Sequence, residues 1–383
     1  MAAVKVAIVC SWLNQYGGAE RVLEVLHGIF PEAPIYTSVY DATALPPSYR
    51  SWDIRPSFLQ RLPGMPGGGP RRLGFYLPLL PTAFEQLDLT EYDLVIDNSS
   101  AFSYGVITRP DACHISYCLT PARFLWAYQD YVRREGFGRF ARLVLPPFLT
   151  YLRVWDRLAA DRVDHFIAIS NAVAARVQKF YHRPAAAVIY PPIDVRNFHL
   201  SDEVDDYYFI VSRLIPYKRI DLAVQAFTRL GLPLKIAGSG RDRSRLETMA
   251  GPNIQFLGRV SDDELVRLYS RCRAFIFPGE EDFGLTPLEA HASGRPVIAF
   301  GAGGAKETIV PGLTGTFFYE PSADALADAV ESLDTRDVDP ATIRHHAERF
   351  DVTHFKEQLL DFIEDTAGVP IGRSRLEVPP GLV

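Results

Sequence analysis

Three adjacent carboxylates, Glu280, Glu281 and Asp282, precede Phe283-Gly284, and a fourth, Glu289, follows within the same short stretch. Like charges this close repel, so a compensating ligand or cation is a more economical account than a solvated acidic turn. A second set of residues is cationic: Arg213 and Lys218 lie in SRLIPYKRID. A planar guanidinium fork beside a point charge suits a diphosphate, whereas carboxylates suit hydroxyl groups. The two sets together would hold a ligand that carries both.

The elements around them must bring the sets together. Ala274–Phe277 is an apolar run that reads as a strand buried on both faces, stopped by Pro278-Gly279. Thr286-Pro287 reads as an N-cap followed by proline at the first helical position, which puts Glu281 in the loop and Glu289 in the first helical turn. Thr286-Pro287-Leu288-Glu289 also fits a capping box, in which Glu289 only satisfies a backbone N–H. A second strand, Pro296–Phe300, leads into Gly301-Ala302-Gly303-Gly304, whose backbone can approach a ligand without a Cβ in the way. Upstream, Arg213 sits just past a strand, Tyr207–Val211, and Lys218 starts a helix that runs to Leu230. In a parallel sheet all of these lie at the carboxyl ends of the strands, where ligands bind.

The first half repeats the layout. Val4–Val9 reads as a strand, then comes a loop ending in Gly17-Gly18-Ala19-Glu20 and a helix to about Phe30, which would aim backbone N–H groups at an anion. The spacing is not GxGxxG and lacks a P-loop lysine, and a tight turn with a cap explains it equally well. Asp93–Asp97, His114–Cys118 and Asp164–Ile169 are further strands, and Ser170 caps a helix to Tyr181. After Pro191-Pro192 the pattern restarts, with strands also at Leu234–Ala237 and Ile254–Leu257. Strand and helix alternating through both halves mean two α/β domains, each built on a doubly wound parallel sheet. The expected division is 1–193, then 205–350, then a closing helix over 351–366 and a mobile tail over 367–383.

Composition narrows the class. Hydrophobic residues make up 48% and charged residues 22% of the 383, as in a folded globular chain of about two domains. Residues 1–193 carry 19 Lys+Arg against 16 Asp+Glu, a net of +3, and residues 194–383 carry 21 against 30, a net of −9. An excess of three is too small for a nucleic-acid partner. No apolar run approaches the ~18 residues of a membrane span, and the start is a strand pattern, so the expectation is a cytoplasmic protein. Cys10, Cys113, Cys118 and Cys272 lack metal-ligand spacing and read as buried free thiols. Pro63–Pro81, with Arg71, Arg72 and exposed-looking Leu73, Phe75, Tyr76, Leu77, Leu79 and Leu80, and Arg133–Leu149, with Arg133, Arg134, Arg139 and Arg142, mix basic and apolar side chains. Such segments can lie on an anionic membrane surface or form acceptor-site helices. Plain packing is favoured, because arginine stems commonly cover apolar surface.

FPGEEDFGLTPLEAHASGRPVIAFGAGGAKE, with SRLIPYKRID, GGAERVL, ISNAV, YPPID and LGRVSDDEL, resembles family 4 of the retaining glycosyltransferases, in particular bacterial mannosyltransferase-like members. The likeness runs from about Val4 to Phe362. It implies the GT-B arrangement of two Rossmann-like domains facing a central cleft, and the closing helix returning to the first domain. It also implies metal-independent transfer of a hexose, from GDP-mannose or UDP-glucose, to a glycan or lipid-linked acceptor. On this resemblance Glu281, Arg213 and Lys218 are catalytic: Glu281 holds the donor sugar, and the two cations stabilise the departing diphosphate. Glu289 would hold the ribose; Gly17, Gly18, Val260, Gly284, Leu285, Gly303 and Gly304 complete the donor site; Leu119, Thr120 and Arg123 lie on the acceptor side. The chain departs from the family in one place, since Leu119 stands where a histidine usually precedes Thr-Pro. His114, five residues earlier, faces the other side of an alternating strand. A sugar phosphorylase or epimerase on the same fold, or an idle nucleotide-sugar-binding subunit, are the alternatives.

Overall fold

The computed structural model describes residues 4–65, 73–127, 139–333 and 338–368, with the backbone alone for 139–145. Two compact units divide the chain: one runs to Tyr190 and resumes at Phe355, and the other spans Pro191–His354.

The first unit is built on a parallel sheet of seven strands in the order β3-β2-β1-β4-β5-β6-β7. They are β1 (Val6–Cys10), β2 (Ile35–Thr37), β3 (Ile54–Pro56), β4 (Leu94–Ser99), β5 (Cys113–Cys118), β6 (His165–Ala168) and β7 (Ala187–Val188). Ala7, Ile8 and Val9 are fully buried, as expected of a parallel strand covered on both faces. The register sets Cys10 beside Asn98, and Asn98 beside Tyr117, at the carboxyl edge. Gly17 N-caps the helix Gly18–Ile29, and Ser170 Oγ accepts from the Val173 N–H to cap Asn171–Tyr181. Phe355 and Phe362 of the last helix, Val352–Ala367, meet Tyr117 and His165 edge-on.

The segment that follows β5 is tied down from below. Asp156, fully buried on the helix Arg139–Ala160, accepts from Tyr104 Oη and from Trp126 Nε1 at 2.7 Å, and Tyr181 Oη lies 2.8 Å from Tyr104 Oη. Arg153 Nε donates to the Leu125 carbonyl at 2.7 Å. These bonds hold the short helix Arg123–Trp126 just beyond Leu119 and Thr120. Burial pushes the Asp156 carboxyl up to about 6, while the hydrogen bonds from Tyr104 and Trp126 act the other way and favour its charged form.

The second unit carries six parallel strands in the order β10-β9-β8-β11-β12-β13. These are β8 (Tyr208–Val211), β9 (Leu234–Ala237), β10 (Ile254–Gly258), β11 (Phe275–Phe277), β12 (Val297–Phe300) and β13 (Gly315–Phe318). The helix expected from Lys218 begins at Ile220 instead, because Pro216–Lys218 forms a 3-10 turn and Arg219 adopts a left-handed conformation at φ 55°.

Two other expectations are corrected. Leu73 and Leu80 are buried, at 6% and 0% exposure, because the segment around them packs into the first unit's core. Of the cysteines, Cys113 is half-buried at the start of β5, while Cys10, Cys118 and Cys272 are buried; all four are free. Burial raises Cys10 and Cys272 to about 12. Arg71, Arg72, Arg133 and Arg134, the side chains of Arg139 and Arg142, and most of the expected mobile tail lie outside the described residues.

Candidate active site

In the second unit the strand order reverses between β8 and β11, and the loops that leave these two strands flank the gap. Lys218, from the β8 side, and Glu281, from the β11 side, form an ion pair between Nζ and Oε1. Their side chains are 13% and 22% exposed, so the pair sits in the mouth of the gap and not on open surface. The cation that the crowded carboxylates call for is therefore supplied by the chain itself.

Arg213 is exposed and shares Tyr217 with Lys218. An Arg213 terminal nitrogen lies 3.2 Å from Tyr217 Oη, and Lys218 Nζ lies 5.3 Å from the centre of the same ring. Both expected cations thus touch Tyr217, the residue that sequence reasoning did not single out. Its only sequence signal was its place between them.

The glycine loop after β12 meets the acidic loop. The Gly304 N–H donates to the Glu281 carbonyl at 2.9 Å, and Gly303 has φ 60°, with space for a Cβ closed by that carbonyl at 2.2 Å. Only glycine lets the two backbones approach this closely.

The start of the next helix differs from expectation. Gly284, at φ 94°, occupies the cap position, and the helix Leu285–Ala292 takes Thr286 and Pro287 inside its first turn. Thr286 therefore makes no capping box, and Glu289 falls two positions later in the helix than expected. Glu289 is 2% exposed and accepts from Tyr269 Oη at 2.6 Å. Tyr269 lies on the helix Asp262–Arg271, twenty positions before Glu289, and no local pattern announces their contact. Leu285 is half-buried at the first helical position, and Val260 is half-buried just beyond β10, against the core beneath the loops.

In the first unit, Leu119 follows β5 and its N–H donates to the Ser99 carbonyl at 2.8 Å, while Thr120 is buried and Arg123 half-buried. Gly17 and Gly18 begin the first helix, at the carboxyl edge of β1. His114 is at the amino end of β5, where its Nε2 lies 2.9 Å from Asp97 Oδ2 with both side chains fully enclosed. It is spent in the core and does not stand in for a residue at Leu119.

Two adjoining family models match the chain: "Glycosyltransferase Family 4" over residues 16–197 and "Glycosyl transferases group 1" over 193–349. The chain belongs to the family 4 glycosyltransferases. A GDP-mannose-dependent alpha-mannosyltransferase of Mycolicibacterium smegmatis is 40% identical over 173 residues, 42% of this chain and 46% of that one. A D-inositol 3-phosphate glycosyltransferase of Mycobacterium avium is 27% identical over 213 residues, 49% and 50% of the two chains. The chain thus spans about half the length of these curated relatives. The fold extends further. HepE of Anabaena, solved with UDP and glucose, superposes with a TM-score of 0.70 at 20% identity, covering 94% of this chain and all of that one. Sucrose-phosphate synthase of Thermosynechococcus elongatus gives 0.73 at 17% identity, covering 95% and 99%. The family 4 chain therefore has the GT-B fold.

The helix that carries Glu289 also carries a buried histidine. His291 is fully enclosed, its Nε2 is 3.0 Å from the Thr314 carbonyl, and its ring lies 5.8 Å from that of His346. Burial first, and His346 second, push His291 down to about 3. The folded state thus holds it neutral, whereas the unfolded chain takes up a proton near 6.5, so stability is lost as pH falls from about 6.5 towards 3. The slope from this one group approaches ~1.4 kcal/mol per pH unit. Chemical denaturation at pH 7 and pH 5 should show the wild type losing more stability than His291→Gln, and equal losses would remove His291 from the account.

Proposed function

We propose that this family 4 protein is a retaining hexosyltransferase that uses a nucleoside-diphosphate hexose, with GDP-mannose ahead of UDP-glucose, and a glycan or lipid-linked acceptor. The observation that carries the reading is the Lys218–Glu281 pair at the β8/β11 gap, with Arg213 reached through Tyr217. A nucleotide sugar matches both halves of the pair. Its diphosphate takes Lys218 and Arg213, and its sugar hydroxyls take Glu281, so donor exchanges one ion pair for two sets of charge-assisted contacts. As the diphosphate leaves, negative charge grows where the two cations stand, which is where electrostatic stabilisation acts on the barrier. In this reading no metal cofactor is needed to carry that charge. Glu289 keeps acceptor capacity beyond its bond to Tyr269 and would take the ribose hydroxyls. Mannose is favoured by the Mycolicibacterium relative, whose name specifies GDP-mannose. The second reading, an idle nucleotide-sugar binder, draws its support from Leu119.

A panel of nucleotide sugars separates the two readings: a transferase releases nucleoside diphosphate, and a binder shows affinity without release. In the active case Glu281→Ala should lower turnover at least tenfold, the equivalent of ~1.5–3 kcal/mol for a lost charge-assisted hydrogen bond. Nucleoside diphosphate affinity should hold or tighten, because Lys218 loses its competitor. A matching loss of that affinity would move Glu281 to a structural role.

Contact with a membrane surface is part of the proposal. The helix Arg139–Ala160 exposes Tyr151, Val154 and Leu158 at 60%, 56% and 58%, on one face by their spacing, and Phe75 is 83% exposed. Among the described residues no helix is long and apolar enough to cross a membrane. An apolar stripe of this kind can rest on lipid. Flotation with anionic vesicles should recover the wild type and recover several-fold less of Val154→Glu; equal recovery would dismiss the contact.

A further inference from the structure

The first unit has its own strand-order reversal, between β1 and β4, and a cavity of about 30 Å³ opens there. Ser11 follows β1, Asn98 and Ser100 come from the end of β4, and Gln15, Ala19 and Glu20 close it from the loop and first helix. We propose that this cavity receives a neutral hydroxyl group of the acceptor and disfavours acceptors that present a phosphate or carboxylate there. The inference rests on the glycosyl-transfer reading above and deepens it by naming the chemistry of the acceptor.

Asn98 carries the argument. It is 3% exposed, and its Nδ2 donates to the Ala19 carbonyl at 2.8 Å, which fixes the other amide atom as oxygen. That Oδ1 is buried and has no hydrogen-bond partner among the described residues. A buried carbonyl oxygen is satisfied by a donor, and a hydroxyl provides one, whereas a phosphate or carboxylate oxygen that has lost its proton does not.

Charge points the same way. The helix Gly18–Ile29 would ordinarily favour an anion at its amino end. Glu20, 4% exposed, already stands there: its Oε2 lies 3.6 Å from where a Cβ on Gly17 would be. Among the described residues that line the cavity there is no lysine or arginine, so an incoming anion would meet the Glu20 carboxylate at the wall. The volume admits one hydroxyl-sized group and not a phosphate with its oxygens. The acceptor-side segment is close at hand, because Leu119 is bonded through its N–H to Ser99, the neighbour of Asn98.

Saturation-transfer NMR tests the inference without depending on turnover. The probes are methyl α-mannoside and myo-inositol, against mannose 6-phosphate and inositol 3-phosphate. Wild type should bind at least one neutral probe, with the phosphates at least tenfold weaker. Asn98→Leu should abolish the neutral signal, and Glu20→Gln, which keeps shape and removes charge, should narrow the discrimination at least threefold. Melting curves and nucleoside diphosphate binding in the second unit report whether each variant is folded, and Glu20→Gln stands alone if Asn98→Leu is not. Phosphates bound as well as neutral probes, a neutral signal that survives in folded Asn98→Leu, or no neutral probe bound at all would overturn it; the last outcome means that the cavity holds an ordered water only. Absence of diphosphate release from any donor, with neutral-probe binding intact, would instead count against the transfer reading.

Discussion

A salt bridge between Lys218 and Glu281 spans the gap at which the second sheet reverses its strand order, and the surrounding loops are arranged to make it. The pair exists because β8 and β11 are neighbours in the sheet, although more than sixty residues separate them in the chain. Gly303 and Gly304 let the loop after β12 press against Glu281 from one side, and Tyr217 holds Arg213 near Lys218 on the other. Opposite charges are thus held part-buried on a backbone fixed by its neighbours. In the proposed function this is a preorganised site, in which a ligand would replace one set of charge contacts with another.

The same topological device appears in the first unit with different chemistry. At the β1/β4 reversal Ser11, Gln15, Asn98, Ser100 and the buried Glu20 line the cavity together with apolar side chains such as Trp12 and Leu23, and among the described lining residues none is basic. One unit therefore offers cations and carboxylates, suited to a charged nucleotide sugar, and the other offers neutral hydrogen-bonding groups. The second half nevertheless carries the net negative charge, so the diphosphate binding proposed for it would be a local property of Arg213 and Lys218 and not of the overall field.

Much of this was legible in the sequence for physical reasons. Parallel strands covered on both faces are short apolar runs, so β1, β4, β8, β9, β11 and β12 showed themselves, and charged loops at their ends marked Arg213, Lys218 and Glu281. The short strands β2, β3 and β7 carried too little pattern to be recognised. Thr286-Pro287 misled because Thr and Pro are good capping residues, whereas a glycine at positive φ, Gly284, fixes the helix start two residues earlier. The contacts of Tyr269 with Glu289, and of Asn98 with Ala19, join segments distant in the chain, and no spacing rule encodes them. Exposure in the Pro63–Pro81 segment was misjudged for Leu73 and Leu80 because apolar residues in an irregular segment can still pack into a core.

The account's central claim is that donor and the Lys218–Glu281 pair compete for the same two side chains. A crystal structure of the protein with an intact nucleoside-diphosphate hexose tests it most directly. The account predicts Lys218 Nζ at ~2.8 Å from a phosphate oxygen, Glu281 on sugar hydroxyls, and the ion pair broken. A donor bound with Lys218 and Glu281 still paired to each other, and the diphosphate held elsewhere, would contradict it.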